Sequence, residues 1–220
     1  MSDWRRISLW LDQLDEPLIP RAPLTAEVDA DVAIIGAGYT GLWTAYYLKT
    51  QAPHLRIAVV EAEIAGFGAS GRNGGWLMGN LLNDERLLRR LPVGERAASS
   101  ALLHDIPDEV GRVLSREGIA CDYRKGGVLY CAARYPEQRQ RLLAQLAALR
   151  ELGQGEGDYC WLNAEELAGQ MRVDGAEGAL YSPHCATIQP AKLVRGLAAC
   201  VERLGVMIFE QSRVLDWQPG

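Results

Sequence analysis

The residues best suited to chemistry are the glycines of Gly36-Ala37-Gly38-Tyr39-Thr40-Gly41, a G-x-G-x-x-G run. The chemistry such a run performs is phosphate binding by main chain. Its first glycine permits a tight turn. The second removes a Cβ so that a pyrophosphate can approach the backbone, and the third lets a helix press against a strand. A helix starting here would aim free N–H groups and a partial positive charge at the phosphates. Glu61 follows at about 20 residues, the spacing at which a carboxylate accepts hydrogen bonds from ribose hydroxyls. The same carboxylate would repel a 2′-phosphate, which disfavours NADP. The competing reading is a glycine turn that binds nothing. The coincidence of strand, glycines, helix and acid weighs against it.

A second glycine run, Gly66-Phe67-Gly68-Ala69-Ser70-Gly71-Arg72-Asn73-Gly74-Gly75, follows closely on Glu61. Such a run lets main chain pass close to a flat, extended ligand. Arg72 can hold a phosphate, and Ser70 and Asn73 can add hydrogen bonds. The first run alone does not separate FAD from NAD, and the second favours FAD. A flexible surface loop is the alternative reading of these residues.

Other chemistry is sparse. The five cysteines, Cys121, Cys131, Cys160, Cys185 and Cys200, form no CxxC pair. They are read as reduced thiols, and no metal site is expected from their spacing. No Ser/His/Asp or metal constellation stands out, so no catalytic residue is assigned. Of the histidines, His54 precedes the second strand and His104 falls inside an amphipathic helix. His184 lies in the loop Ser182-Pro183-His184-Cys185; a structural role is favoured for it, with a place near a bound cofactor as the alternative. Tyr123, Arg124 and Tyr130 could line a substrate pocket, and ordinary strand packing explains them equally well.

The elements that must position these residues are legible. Asp31 to Ile35 is rich in β-branched residues and suits a strand buried on both faces, as does Arg56 to Glu61. Thr40 to Lys49 reads as the helix between them, which makes a βαβ unit. Helical periodicity returns over Asp84 to Leu91 and over Glu95 to about Arg116, the latter kinked by Pro107. Ala120 to Tyr123 and Gly127 to Cys131 read as short strands around a Lys125-Gly126-Gly127 turn. Pro136 opens a helix that ends at Gly153, with Leu142, Leu146 and Leu149 as its buried face. Asn163 and Glu166 have the spacing of a capping box, and Ala179 to Tyr181 suits a strand. Pro190 opens a further helix that Gly205 stops. Val206 to Phe209 and Arg213 to Trp217 read as two more strands. Met1 to Ala30 reads as an arm in which Trp4, Trp10 and Leu11 can pack while Pro17, Pro20 and Pro23 forbid a long helix.

Composition narrows the class. The chain of 220 residues is 48% hydrophobic, enough for one filled core or for a domain with a smaller lobe. A net charge of −5 offers no basic footprint for nucleic acid. No apolar stretch suits a membrane span or a secretory leader, so a soluble, cytoplasmic protein is expected.

The stretches DVAIIGAGYTGLWTAYYL and VVEAEIAGFGASGRNGGW resemble those of the D-amino-acid-oxidase-like FAD-dependent oxidoreductases, most of all the γ-glutamylputrescine oxidase-like branch. The later IQPAKLVRGLAACVERLGV is similar to that family's helix returning to the FAD domain. The resemblance implies an α/β, Rossmann-like FAD-binding domain and part of an α+β substrate lobe. The implied organisation is an arm (1–30), a first FAD-domain segment (31–117), a partial substrate lobe (118–189) and a returning segment (190–220). It implies FAD on Gly36, Ala37, Gly38, Tyr39, Thr40 and Gly41, with Glu61 and Ala62 at the ribose. Ser70, Gly71, Arg72, Asn73, Gly74 and Gly75 would run along the pyrophosphate towards the flavin. Val214 would hold the adenine through its backbone, from a strand after the returning helix. The implied reaction is oxidation of an amine or amino acid by hydride transfer to the flavin. Family members are much longer, so this chain matches an N-terminal half. A missing C-terminal half or a second chain is the implied partner, and open strand edges are expected. Two alternatives stay open: a non-catalytic fragment that keeps the dinucleotide fold, and an NAD-dependent dehydrogenase.

Overall fold

The computed structural model describes residues 3–81 and 84–218. After a 3-10 turn at Trp4–Ile7, the described elements run as α1 (Leu9–Asp12), β1 (Val32–Ile35), α2 (Tyr39–Gln51) and β2 (Ile57–Val60). Next come β3 (Trp76–Met78), α3 (Asp84–Arg90), α4 (Val93–His104), α5 (Ile106–Glu117), β4 (Arg124–Lys125) and β5 (Val128–Ala132). Then follow α6 (Pro136–Glu151), β6 (Cys160–Asn163), α7 (Ala164–Gln170), β7 (Gly178–Ser182), β8 (Cys185–Thr187), α8 (Pro190–Arg203) and β9 (Met207–Phe209). The chain divides into two compact units. One comprises the chain up to Gly75, Leu114–Asp122 and the chain from Ile188 onward; the other comprises Trp76–Val113 and Tyr123–Thr187.

The first unit is built on a parallel sheet of order β1-β2-β9. Val32 pairs with Ile57, Ile34 with Val59, and Val60 with Phe209. A parallel pair needs a crossover, and α2 and α8 supply them. α2 buries Leu42, Ala45 and Tyr46, and α8 buries Leu193, Leu197 and Val201. Burial of β1 on both faces does not hold. Ala33 and Ile35 point outward, and Ile35 is 63% exposed. The reason is geometric: these alternate side chains point to the sheet face that no described helix covers. The sheet's other face forms an apolar trough whose lining includes Ala33, Val60 and Phe209, bordered by Leu24 and Val28 of the arm.

The arm packs as its aromatic and apolar residues suggest. Leu11 and Leu14 are buried against Ala191, and Trp4 is 4% exposed. The Arg5 guanidinium donates to the carbonyls of Leu11, Asp12, Leu14 and Glu16. Arg213 to Trp217 is not a strand. Gln211, at φ 51°, turns the chain after β9, and Gln211 and Ser212 donate backbone N–H groups to the carbonyls of Glu63 and Glu61. Among the described residues the segment beyond them joins no strand, and Leu215 is 90% exposed.

The second unit holds two antiparallel sheets, of orders β3-β8-β4 and β5-β7-β6. α6 lays Leu142, Leu146 and Leu149 against Tyr130, Tyr159 and Leu180. Asn163 Oδ1 accepts from the N–H groups of Glu165 and Glu166, and Glu166 returns a carboxylate to Asn163 N–H, as the spacing predicts. Three expectations need correction. Ala120 to Tyr123 is not a strand; the strand is Arg124–Lys125. β4 and β5 do not pair across the Gly126-Gly127 turn. Instead Gly126 and Gly127 both donate N–H to Cys185 O, and the two strands join different sheets. The single kinked helix is two helices, α4 and α5, separated at Asp105. Pro107 lacks an N–H and clashes with a preceding helical turn, so it is accommodated in the first turn of α5 rather than inside one long helix.

Candidate dinucleotide site

The turn between β1 and α2 is shaped by its glycines. Gly36 has φ +99°, a left-handed conformation that side chains disfavour. A Cβ there would meet nothing within 4 Å, so this side of the turn is open to a ligand. A Cβ on Gly41 would lie 2.1 Å from Gly36 O, so only glycine lets α2 start this close to β1. A Cβ on Gly38 would sit 3.0 Å from Ser70 Oγ.

Two side chains converge on this turn. Glu61, at the end of β2, accepts from Ala37 N–H at 2.8 Å through one carboxylate oxygen and from Glu63 N–H at 3.0 Å through the other. Ser70 Oγ accepts from Tyr39 N–H at 2.8 Å, at the first residue of α2. Gly66 N–H donates to Ala37 O at 3.0 Å, which joins the second glycine run to the first. Tyr39 donates its hydroxyl to Pro190 O at 3.0 Å, and burial pushes its phenol well above the ordinary range. Thr40 is exposed in the first helical turn, and Ala62 is half-buried beside Glu61.

The second run forms a loop held by internal hydrogen bonds. Ala69–Gly71 is a 3-10 turn, and a Cβ on Gly71 would lie 2.2 Å from Gly66 O. Asn73 donates to the carbonyls of Ala69 and Ser70 and accepts from Gly75 N–H. Its carbonyl takes the indole N–H of Trp10 at 2.7 Å, and Ser8 Oγ donates to Gly71 O, so the arm braces the loop. Gly74 is exposed, and Arg72 is exposed with its guanidinium 5.1 Å from the Phe67 ring centre. The structure thus brings Gly36 to Gly41, Glu61 and Ser70 together. Val214 lies in the irregular chain beyond β9, at 36% exposure.

Sequence reasoning missed Glu210. Its carboxylate is fully buried and accepts from Ala65 N–H at 2.7 Å, Arg21 N–H at 2.7 Å and the Arg21 guanidinium at 2.8 Å. Arg21 also pairs with Glu202. The signal was present: β2 and β9 both run from apolar residues straight into a glutamate, Glu61 and Glu210. In the second unit, Tyr123 donates its hydroxyl to Pro107 O at 2.8 Å, while Tyr130 lines an open cleft with Met78, Asn80 and Arg86. Arg124 is exposed on β4. The second unit also gathers His104, Asp158 and His184, whose ligand atoms lie within 4.8 Å of one another. Their wide separation in sequence hid this cluster.

The family model for FAD dependent oxidoreductases, DAO, matches residues 31–220. The chain is 28% identical over 202 residues to gamma-glutamylputrescine oxidoreductase of Escherichia coli, covering 90% of this chain and 46% of that protein. It is 32% identical over 199 residues to "Probable oxidoreductase OrdL" of Haemophilus influenzae, covering 88% and 44%. Among solved structures, glycine oxidase from Bacillus cereus shares the fold at a TM-score of 0.66 and 22% identity, over 87% of this chain and 49% of that one. L-amino acid deaminase from Proteus vulgaris does so at 0.67 and 21%, over 91% and 45%. The chain spans about half the length of the curated relatives it matches. Among the described residues no helix is long and apolar enough to cross a membrane.

Proposed function

The chain belongs to the DAO family of FAD-dependent oxidoreductases, and from that premise we propose that its first unit binds FAD in the service of amine or amino-acid oxidation. The observation that carries this reading is the joint placement of Gly36, Gly38 and Gly41, Glu61 and Ser70 at one strand-to-helix turn. Gly36 to Gly41, with Ala37, Tyr39 and Thr40 between the glycines, present backbone to the pyrophosphate, and the start of α2 supplies its partial positive charge. Glu61 and Ala62 stand at the ribose. Ser70 and Gly71 to Gly75 continue along the cofactor, with Arg72 turning from Phe67 and the Gly68 carbonyl onto a phosphate. Val214 offers backbone to the adenine. The chemistry that bound FAD would supply is acceptance of a hydride from the carbon that bears the amine.

The role left to this chain is to hold and orient. The second unit is read as part of the substrate lobe, with Tyr130 and its cleft as the surface that meets a small amine or amino acid. Names of the relatives point to such substrates. The open edge of β1, together with relatives of about twice the length, supports completion of the site by further polypeptide, on this chain or on a second one. Five free cysteines suit a reducing compartment, and we place the protein in the cytoplasm.

The test is an absorbance spectrum of the purified chain after gel filtration, with FAD added back if it emerges colourless. A flavin band that stays with the chain through gel filtration is the expected outcome, and anaerobic bleaching by an amine or amino acid is expected once the chain is completed by its missing half. A band that is retained in the Gly41→Val variant as in the parent would sink the assignment of the turn. Thermal stabilisation by NAD without any flavin binding would replace FAD with a nicotinamide cofactor.

A further inference from the structure

The cluster of His104, Asp158 and His184 lies wholly in the second unit, apart from the glycine turns in the first. Its members come from three elements: the last residue of α4, the segment before β6, and the loop between β7 and β8. One oxygen of Asp158, Oδ1, sits 3.2 Å from His104 Nδ1 and 3.1 Å from His184 Nε2. The other, Oδ2, accepts from Gly155 N–H at 2.8 Å, which fixes the carboxylate's direction. The two imidazoles stack at 3.9 Å between centres and 6° between planes, and Tyr159 packs edge-on against His104.

We propose that these three side chains bind one divalent transition-metal ion of the zinc class. Two ring nitrogens and a carboxylate oxygen are a donor set that suits zinc, cobalt or nickel better than magnesium or calcium, which prefer all-oxygen shells. The three ligand atoms lie within 4.8 Å of one another, and metal–nitrogen bonds of about 2.0–2.1 Å require them to close around the ion. Parallel rings have no common point in both planes, so ligation must tilt the imidazoles apart. The side chains are 12% (His104), 19% (His184) and 32% (Asp158) exposed. That leaves room for entry and for a water as fourth ligand. The alternative occupant of the cluster is a proton shared around Asp158, with no metal.

The experiment titrates the full-length chain with cobalt(II) and follows its visible absorption, with zinc(II) as competitor. The expected result is one saturable equivalent at micromolar metal, displaced by zinc and without a thiolate charge-transfer band. His184→Gln should weaken binding by at least about 100-fold, the top of the range seen on losing even an outer partner. Circular dichroism checks that this variant folds. Should it not, the nearly isosteric Asp158→Asn carries the same expectation. Histidine ring resonances of the parent should shift as the stack opens. Absence of saturable binding, a thiolate band, or parental affinity in a folded variant would each overturn the assignment.

Discussion

Arg21 and Glu210 carry more of the first unit than any motif suggested. Glu210 is wholly buried, and Arg21 satisfies it from the arm while Ala65 N–H satisfies it from the second glycine run. Removing one partner leaves an unpaired buried charge, so Arg21→Ala should cost about 3 kcal/mol in chemical denaturation. The cysteines make a second residue-scale prediction. Cys200 is buried beside Glu117, and burial first, then that carboxylate, push its thiol up to about 11. At pH 8 it is therefore protonated and inert. Alkylation mapped by mass spectrometry should label the half-buried Cys131 and Cys160 first, and Cys121, Cys185 and Cys200 only on unfolding.

At the scale of elements, the entry into β1 is tied to the entry into β2. Arg56 donates its guanidinium and its backbone N–H to Asp31, and the Arg56 hydrogen bond is the main reason the Asp31 carboxyl falls to about 2. A lowered folded pKa means that this stabilisation is complete above the unfolded value, near 3.8. It is lost as pH falls through the folded one. Asp31→Asn should therefore be less stable than the parent at neutral pH and should lose less further stability between about pH 4 and 2. Unfolding curves at stepped pH read this difference. Most helix ends here were readable because caps are local chemistry: Pro190 opens α8 and Gly205, at φ +89°, closes it. Strand pairing was not. The β4–Gly126-Gly127–β5 segment has the local signature of a hairpin, yet each strand is drawn to the returning β7–β8 stretch instead.

At the scale of the molecule, the first unit leaves the β1 edge without a strand partner among the described residues, and one sheet face is bordered only by the arm. Ile35, 63% exposed on that edge, makes it a template for association. The isolated chain should self-associate as concentration rises in sedimentation velocity. Ile35→Lys should reduce this while changing unfolding free energy by no more than about 0.5 kcal/mol. Unchanged association in the variant would mean that another surface is responsible.

By itself the sequence determined the βαβ unit, the glycine turn with its acid, the helix caps and the family, because each rests on residues close together in the chain or at a fixed spacing. Only the tertiary structure decided which strands pair, that β1 lies at an edge, that Arg213 to Trp217 joins no sheet, and that Arg21 of the arm is the partner of Glu210. It alone brought His104, Asp158 and His184 together. Those features depend on contacts between segments far apart in the chain, where neither periodicity nor spacing carries a signal.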